Sequence, residues 1–116
     1  MWYIIIMTTV YEALAEPTRR RILDLLRTRP RFVGELVDAL DISQPGVSKH
    51  LRILRDVGLV RVHQEAQRRW YVLDPEPLSE VEQWLQAFRD AREESYTRLD
   101  DLLKELQEKE NNDASE

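Results

Sequence analysis

A chain of 116 residues, 42% hydrophobic and 34% charged, is the length of one domain with a real but modest core. It has no cysteine and only two histidines, His50 and His63. This excludes disulfides, thiolate metal sites and thiol redox sensing, and weighs against a histidine-built metal centre. The formal charge of −5 is segregated: residues 17–73 carry twelve Lys/Arg against six Asp/Glu, a local +6, while residues 1–16 carry −2 and residues 74–116 carry −9. Salt screens charges more than about 8–10 Å apart, so a basic middle presents its own field to a polyanion whatever the total.

Residues 1–9 read as an N-terminal extension. Its apolar run from Trp2 to Met7 is too short to span a membrane and lacks the basic flank of a secretory signal, so a soluble, cytoplasmic protein with no membrane partner is expected. A short helix is predicted over residues 10–15, with Val10 and Leu14 on one face. Pro17 suits the first turn of a second helix, where a missing N–H costs nothing. That helix turns Ile22, Leu23, Leu25 and Leu26 inward, carries Arg19, Arg20 and Arg21 at its start, and ends at Pro30. Val33, Leu36, Val37 and Leu40 give the spacing of a third helix. Residues 41–43 form a tight connector, and Ser43 is a good N-cap for a fourth helix running to about Val57. Val47, Leu51 and Leu54 face inward there, and Gly58 supplies the stop.

Residues 59–63 and 69–73 alternate apolar and polar side chains and are rich in strand formers, so a β-hairpin is predicted with residues 64–68 between the strands. Pro75 and Pro77 punctuate the exit, and a long helix is expected from residue 78 to about 109. Its apolar residues Leu78, Val81, Leu85, Phe88, Leu99, Leu102 and Leu106 follow a three–four spacing broken at Arg92 and Ser95. Residues 111–116 read as a disordered polar tail. The expected fold is mainly α with a small β-hairpin, a winged helix-turn-helix with a long C-terminal dimerisation helix, all within one domain over residues 10–110.

Two short helices joined by a tight turn can place the second in the major groove of DNA. The exposed early residues of the fourth helix would be Gln44, Gly46, Ser48, Lys49 and Arg52, with His50 near the same surface. Gln bonds adenine bidentately, Lys reaches guanine or phosphate, Ser reaches either, and Gly46 lets the backbone come close. At the hairpin tip Gln67, Arg68 and Arg69 can lie on the sugar-phosphate backbone or enter the minor groove. Arg19 and Arg20 are expected on phosphates. Trp70 and Tyr71 read as sheet-packing residues, one of them pointing inward. The apolar stripe of the last helix marks a partner surface, so a homodimer is expected through Leu85, Phe88, Leu99 and Leu102, with Val10 and Leu14 from the first helix. There is no Gly-rich phosphate loop and no histidine paired with a nucleophile, so neither an enzyme nor a cofactor is expected. The rival reading is a winged-helix protein-interaction module without specific DNA binding; the basic middle and the polar front of the fourth helix favour double-stranded DNA.

Four linked segments carry a resemblance: residues 14–23 (LAEPTRRRIL), 33–36 (VGEL), 42–51 (ISQPGVSKHL) and 54–60 (LRDVGLV). Together they resemble the ArsR-type winged-helix repressors over residues 10–100 or so. The resemblance implies a dimer built by the first and last helices, with two recognition helices on an inverted repeat. Many members of that family sense metals. The stretch where some carry Cys-x-Cys is here Glu35-Leu36-Val37-Asp38, and the last helix, where others place His ligands, has none. The chain is therefore similar to the metal-independent, autorepressor-like branch, and no metal is expected. Three departures stand out: Glu16 where Asp is the usual N-cap, Phe32 where Ser or Thr usually caps the third helix, and Ala66 where the wing tip commonly has Gly.

Overall fold

The computed structural model describes residues 8–114. Most of the expected N-terminal extension, residues 1–7, therefore lies outside the described residues. The elements are α1 (Val10–Ala15), α2 (Pro17–Thr28), α3 (Val33–Leu40), α4 (Gln44–Asp56), β1 (Val60–Glu65), β2 (Arg68–Leu73) and α5 (Leu78–Ala114). They group into two compact units, the first ending at Val81 and the second beginning at Glu82.

In the first unit each helix boundary has a local cause. The Thr9 hydroxyl accepts from the Glu12 N–H at 3.2 Å and opens α1. The Glu16 carboxylate accepts from the Arg19 N–H at 3.2 Å and opens α2, so glutamate does the capping expected of a shorter acid. Ser43 Oγ accepts from the Gly46 N–H at 3.2 Å and opens α4. Phe32 has no oxygen with which to cap α3, and only the reciprocal contact forms: its N–H donates to Glu35 Oε1 at 3.3 Å. The Arg29 guanidinium donates to the other oxygen of Glu35 and holds that carboxyl below the usual carboxylate range.

Asp41, left-handed at φ 55°, ends α3 and donates its N–H to Val37 O. Helix α4 ends in a complete Schellman motif. Gly58, at φ 83°, donates to Arg55 O at 3.0 Å, and Leu59 donates to Leu54 O at 3.0 Å. Leu54 and Leu59, at the two ends of that second bond, are both fully buried, which adds the apolar contact that stabilises such caps.

Ile22, Leu23 and Leu26 of α2, Leu36 and Leu40 of α3, and Val47, Leu51 and Leu54 of α4 meet in one core, joined by Val10, Ala13, Leu59, Val60 and Tyr71. The three- and four-residue spacings read from the sequence thus point where they should. Leu54 is fully buried, so Leu54→Ala should lower unfolding free energy by about 2–5 kcal/mol through lost burial and a residual cavity. A change below about 1 kcal/mol in chemical denaturation would contradict this packing.

Strands β1 and β2 pair antiparallel from Val60 opposite Leu73 to Glu65 opposite Arg68. The turn is only Ala66-Gln67, shorter than the expected loop of residues 64–68, because Gln64 and Glu65 remain paired with Arg69 and Arg68. Ala66 takes φ 57°, a left-handed conformation that costs an L-residue about 1–2 kcal/mol. Glycine relieves this at an entropic cost of about 0.5–1 kcal/mol. Ala66→Gly should therefore raise the thermal midpoint by a few degrees, and a lowered midpoint would contradict the turn. The segment between α2 and α3 adds to the sheet: Arg31 and Tyr71 exchange backbone bonds of 3.1 and 2.7 Å.

In the second unit no residue of α5 is buried. The helix has 37 residues, so at 1.5 Å per residue it is about 55 Å long. It continues to Ala114 and not to about 109, and residues 111–114, expected to be disordered, are helical. No Gly or Pro interrupts that stretch. Leu85, Phe88, Leu99, Leu102, Leu103 and Leu106 are exposed, each about half or more of its surface in Phe88 and residues beyond. Tyr96 is also exposed, and a step of four from Arg92 to Tyr96 keeps the stripe on one side of a straight helix. The polar break expected at Arg92 and Ser95 thus narrows to Arg92 alone. Trp84 packs edge-on against Phe88 with ring centres 4.7 Å apart.

Candidate nucleic-acid interface

Pro45 in the first turn of α4, the Ser43 cap and the buried Val47 fix that helix so that its opposite side faces out. Gln44, Ser48, Lys49 and Arg52 are exposed on it, and 44, 48 and 52 form one row at four-residue spacing. The hairpin tip comes beside the start of this row. A groove of about 470 Å³ is lined by Gln44 and Ser48 on one side, by Gln67, Arg68 and Arg69 on the other, and by Phe32, Val33 and Tyr71. Four residues chosen from the sequence as DNA contacts, Gln44, Ser48, Arg68 and Arg69, thus share one concavity.

Three other expected contacts are engaged inside the chain. Arg19 donates from Nε to Ala13 O at 2.7 Å and from Nη2 to Glu12 O at 3.1 Å. Arg20 donates from Nη1 to Leu14 O at 2.6 Å. These guanidiniums satisfy the last carbonyls of α1, which a one-and-a-half-turn helix leaves without partners. His50 is half-buried, with Nδ1 3.4 Å from Arg19 Nη1 and Nε2 3.8 Å from Glu16 Oε2. It ties α4 to the α1–α2 corner. Gly46 is half-buried too, and a Cβ there would stand 3.2 Å from Ser43 Oγ, crowding the cap. Its missing side chain serves the start of α4 from within.

The sequence reading missed Phe32 as a wall of the groove, since a ring at a helix cap carries no polar signal. It also missed Arg55 of α4 and Arg61 of β1, which line a second recess together with Arg52 and Asp56. Arg61 is pinned there by Asp74, whose Oδ2 accepts from its Nε at 2.7 Å. Of the expected dimer residues on α1, Val10 is only 7% exposed and already belongs to the core of its own chain, while Leu14 is half-buried. Tyr11, 39% exposed, is the large apolar residue that this helix shows to solvent. Among the described residues no group of three or more His, Asp or Glu is disposed to hold a metal ion, and no helix is long and apolar enough to cross a membrane.

Helix, tight turn, groove-facing helix and a cationic two-stranded wing define a winged helix-turn-helix protein. Residues 16–62 match the model of a family described as bacterial regulatory protein, arsR family. Over 82 residues the chain is 34% identical to the transcriptional repressor SdpR of Bacillus subtilis (strain 168), covering 71% of this chain and 91% of that one. The crystal structure of an ArsR family transcriptional regulator matches with a TM-score of 0.64 at 36% identity, over 72% of this chain and 91% of the other. A solution structure of the homodimeric winged helix-turn-helix DNA-binding domain of Mb0332 from Mycobacterium bovis, a possible ArsR-family transcriptional regulator, matches with a TM-score of 0.57 at 31% identity, over 70% and 75%. The chain belongs to the ArsR family of bacterial regulatory proteins. It is a DNA-binding transcriptional regulator and not an enzyme, and the expected fold of helices, one hairpin and a long C-terminal helix is the one found.

Proposed function

We propose that the chain is a cytoplasmic repressor that binds an inverted repeat in double-stranded DNA as a homodimer, without a metal ion. The observation that carries this reading is the groove in which Gln44 and Ser48 of α4 stand beside Gln67, Arg68 and Arg69 of the wing. Gln44, Ser48 and Lys49 read base edges in the major groove; Arg52, Arg68 and Arg69 take phosphates or the adjacent minor groove. Dimerisation uses the exposed stripe of α5, from Leu85 and Phe88 to Leu99 and Leu102, extended by Tyr96 and Leu103. The homodimeric state named for the Mycobacterium bovis domain supports this pairing. Residues 10–110 make up the winged helix-turn-helix domain, with α5 as its dimerisation element.

Selection from a pool of random duplexes tests the reading. The expected product is an inverted repeat whose half-sites lie about one helical turn, or a multiple of it, apart. No enrichment over unselected DNA would contradict it. Zinc, cadmium or arsenite at stoichiometric levels should leave the affinity for the selected duplex unchanged, since the chain has no thiolate and α5 has no histidine. A loss of about tenfold or more on adding one of them would reassign the acidic residues of α5 as ligands.

A further inference from the structure

We propose that Phe32 is a positioning residue for DNA recognition: its ring holds the Arg68 guanidinium over the groove while leaving the N–H donors of that guanidinium free. This rests on the DNA-binding reading above and names how its wing is set. The backbone pairing of Arg31 with Tyr71 is antiparallel, which brings the next residue, Phe32, opposite Trp70. Arg68 and Trp70 are two apart on β2 and so share one face of the hairpin. The Phe32 ring touches both. It meets Trp70 edge-on with centres 5.5 Å apart, and Arg68 Cζ lies 5.6 Å from its centroid. Both distances fall in the range where such contacts are attractive. Gly34 gives the ring its seat, since a Cβ there would stand 3.4 Å from Cε2 of Phe32.

The other well-placed arginines of this unit are held differently. Arg19, Arg20, Arg29, Arg31 and Arg61 donate to carbonyl or carboxylate oxygens and spend donors in doing so. Arg68 has no such acceptor among the described residues. A cation–π contact with a ring spends none of the five N–H groups on an oxygen acceptor. An arginine held this way is oriented before DNA arrives and loses less side-chain entropy on binding. Phe32 is itself 36% exposed, at the rim and not in the core, so its replacement leaves the packing of α2, α3 and α4 in place.

The test joins a contact measurement without DNA to a double-mutant cycle with it. In the free protein the side-chain protons of Arg68 should show an upfield ring-current shift in NMR spectra, lost in Phe32→Leu and retained in Phe32→Tyr. On a duplex selected by the wild-type protein, Phe32→Leu should weaken binding about three- to tenfold, two copies of a modest contact acting together. Phe32→Tyr should restore most of it, and Phe32→Leu should add little in the Arg68→Ala background. Effects that multiply in the double variant would overturn the positioning role, as would a ring-current shift that is absent from the wild type. Arg68→Ala with undiminished affinity would instead overturn the DNA-reading wing, and the inference with it.

Discussion

Gln44→Ala should weaken binding to the selected operator about thirtyfold or more while leaving random-sequence DNA nearly unaffected. A bidentate contact from glutamine to adenine discriminates by about 1–3 kcal/mol, and a symmetric dimer loses it twice. Gln44 stands exposed at the mouth of the groove on the first residue of α4, where recognition helices present their N-terminal side chains to base edges. Arg68→Ala should behave in the opposite way. It removes a charge from the backbone contact, so operator and random DNA both lose affinity. The slope of log affinity against log salt then falls by about 0.9 for each phosphate released, close to two per dimer. Titrations at three salt concentrations separate the two patterns. Equal losses on both DNAs with equal changes in slope would remove α4 from its place as the reading element.

Leu99→Glu should produce a monomer and abolish operator binding. Leu99 is 53% exposed on a helix that buries none of its residues, and an apolar stripe of this length on a monomer is an uncovered partner surface. A glutamate set into the apolar stripe of each protomer would be desolvated without a partner, which opposes association by several kcal/mol. Sedimentation equilibrium at micromolar concentration should give twice the chain mass for the wild type and the chain mass for Leu99→Glu. A single half-site cannot supply the affinity gap of about a thousandfold or more that separates operator from random DNA, so specific binding should go with the dimer. A wild-type monomer, or a Leu99→Glu dimer with full operator affinity, would contradict the assignment of α5.

What the sequence made legible was the information carried by spacing and by punctuation. Val47, Leu51 and Leu54 could be placed inside because a helix brings residues three and four apart together. Ser43, Pro17 and Gly58 marked boundaries because each has one conformational property its neighbours lack. Long-range side-chain commitments were not legible. Arg19 and Arg20 read as free cations, since nothing local shows that the carbonyls of residues 12–14 will stand within reach once α1 folds back on α2. His50 lies 31 residues from the arginine it meets. The turn at Ala66 looked longer because alanine carries no left-handed signal, and the register of the hairpin forced that conformation on it. The sequence ends α5 too early for a related reason: residues 110–113 are polar, and polarity ends a helix only when a cap or a breaker accompanies it.

The early face of α4 and the wing tip should meet DNA together. Amide and side-chain NMR shifts, followed as the selected duplex is added to the labelled protein, test it most directly. The largest changes should fall on Gln44, Ser48, Lys49 and Arg52 and on Gln67, Arg68 and Arg69, with His63 and Val72, farther from the hairpin tip, and Arg29 at the end of α2 little moved. Changes concentrated on those three residues or on α5, with the groove unperturbed, would contradict this placement.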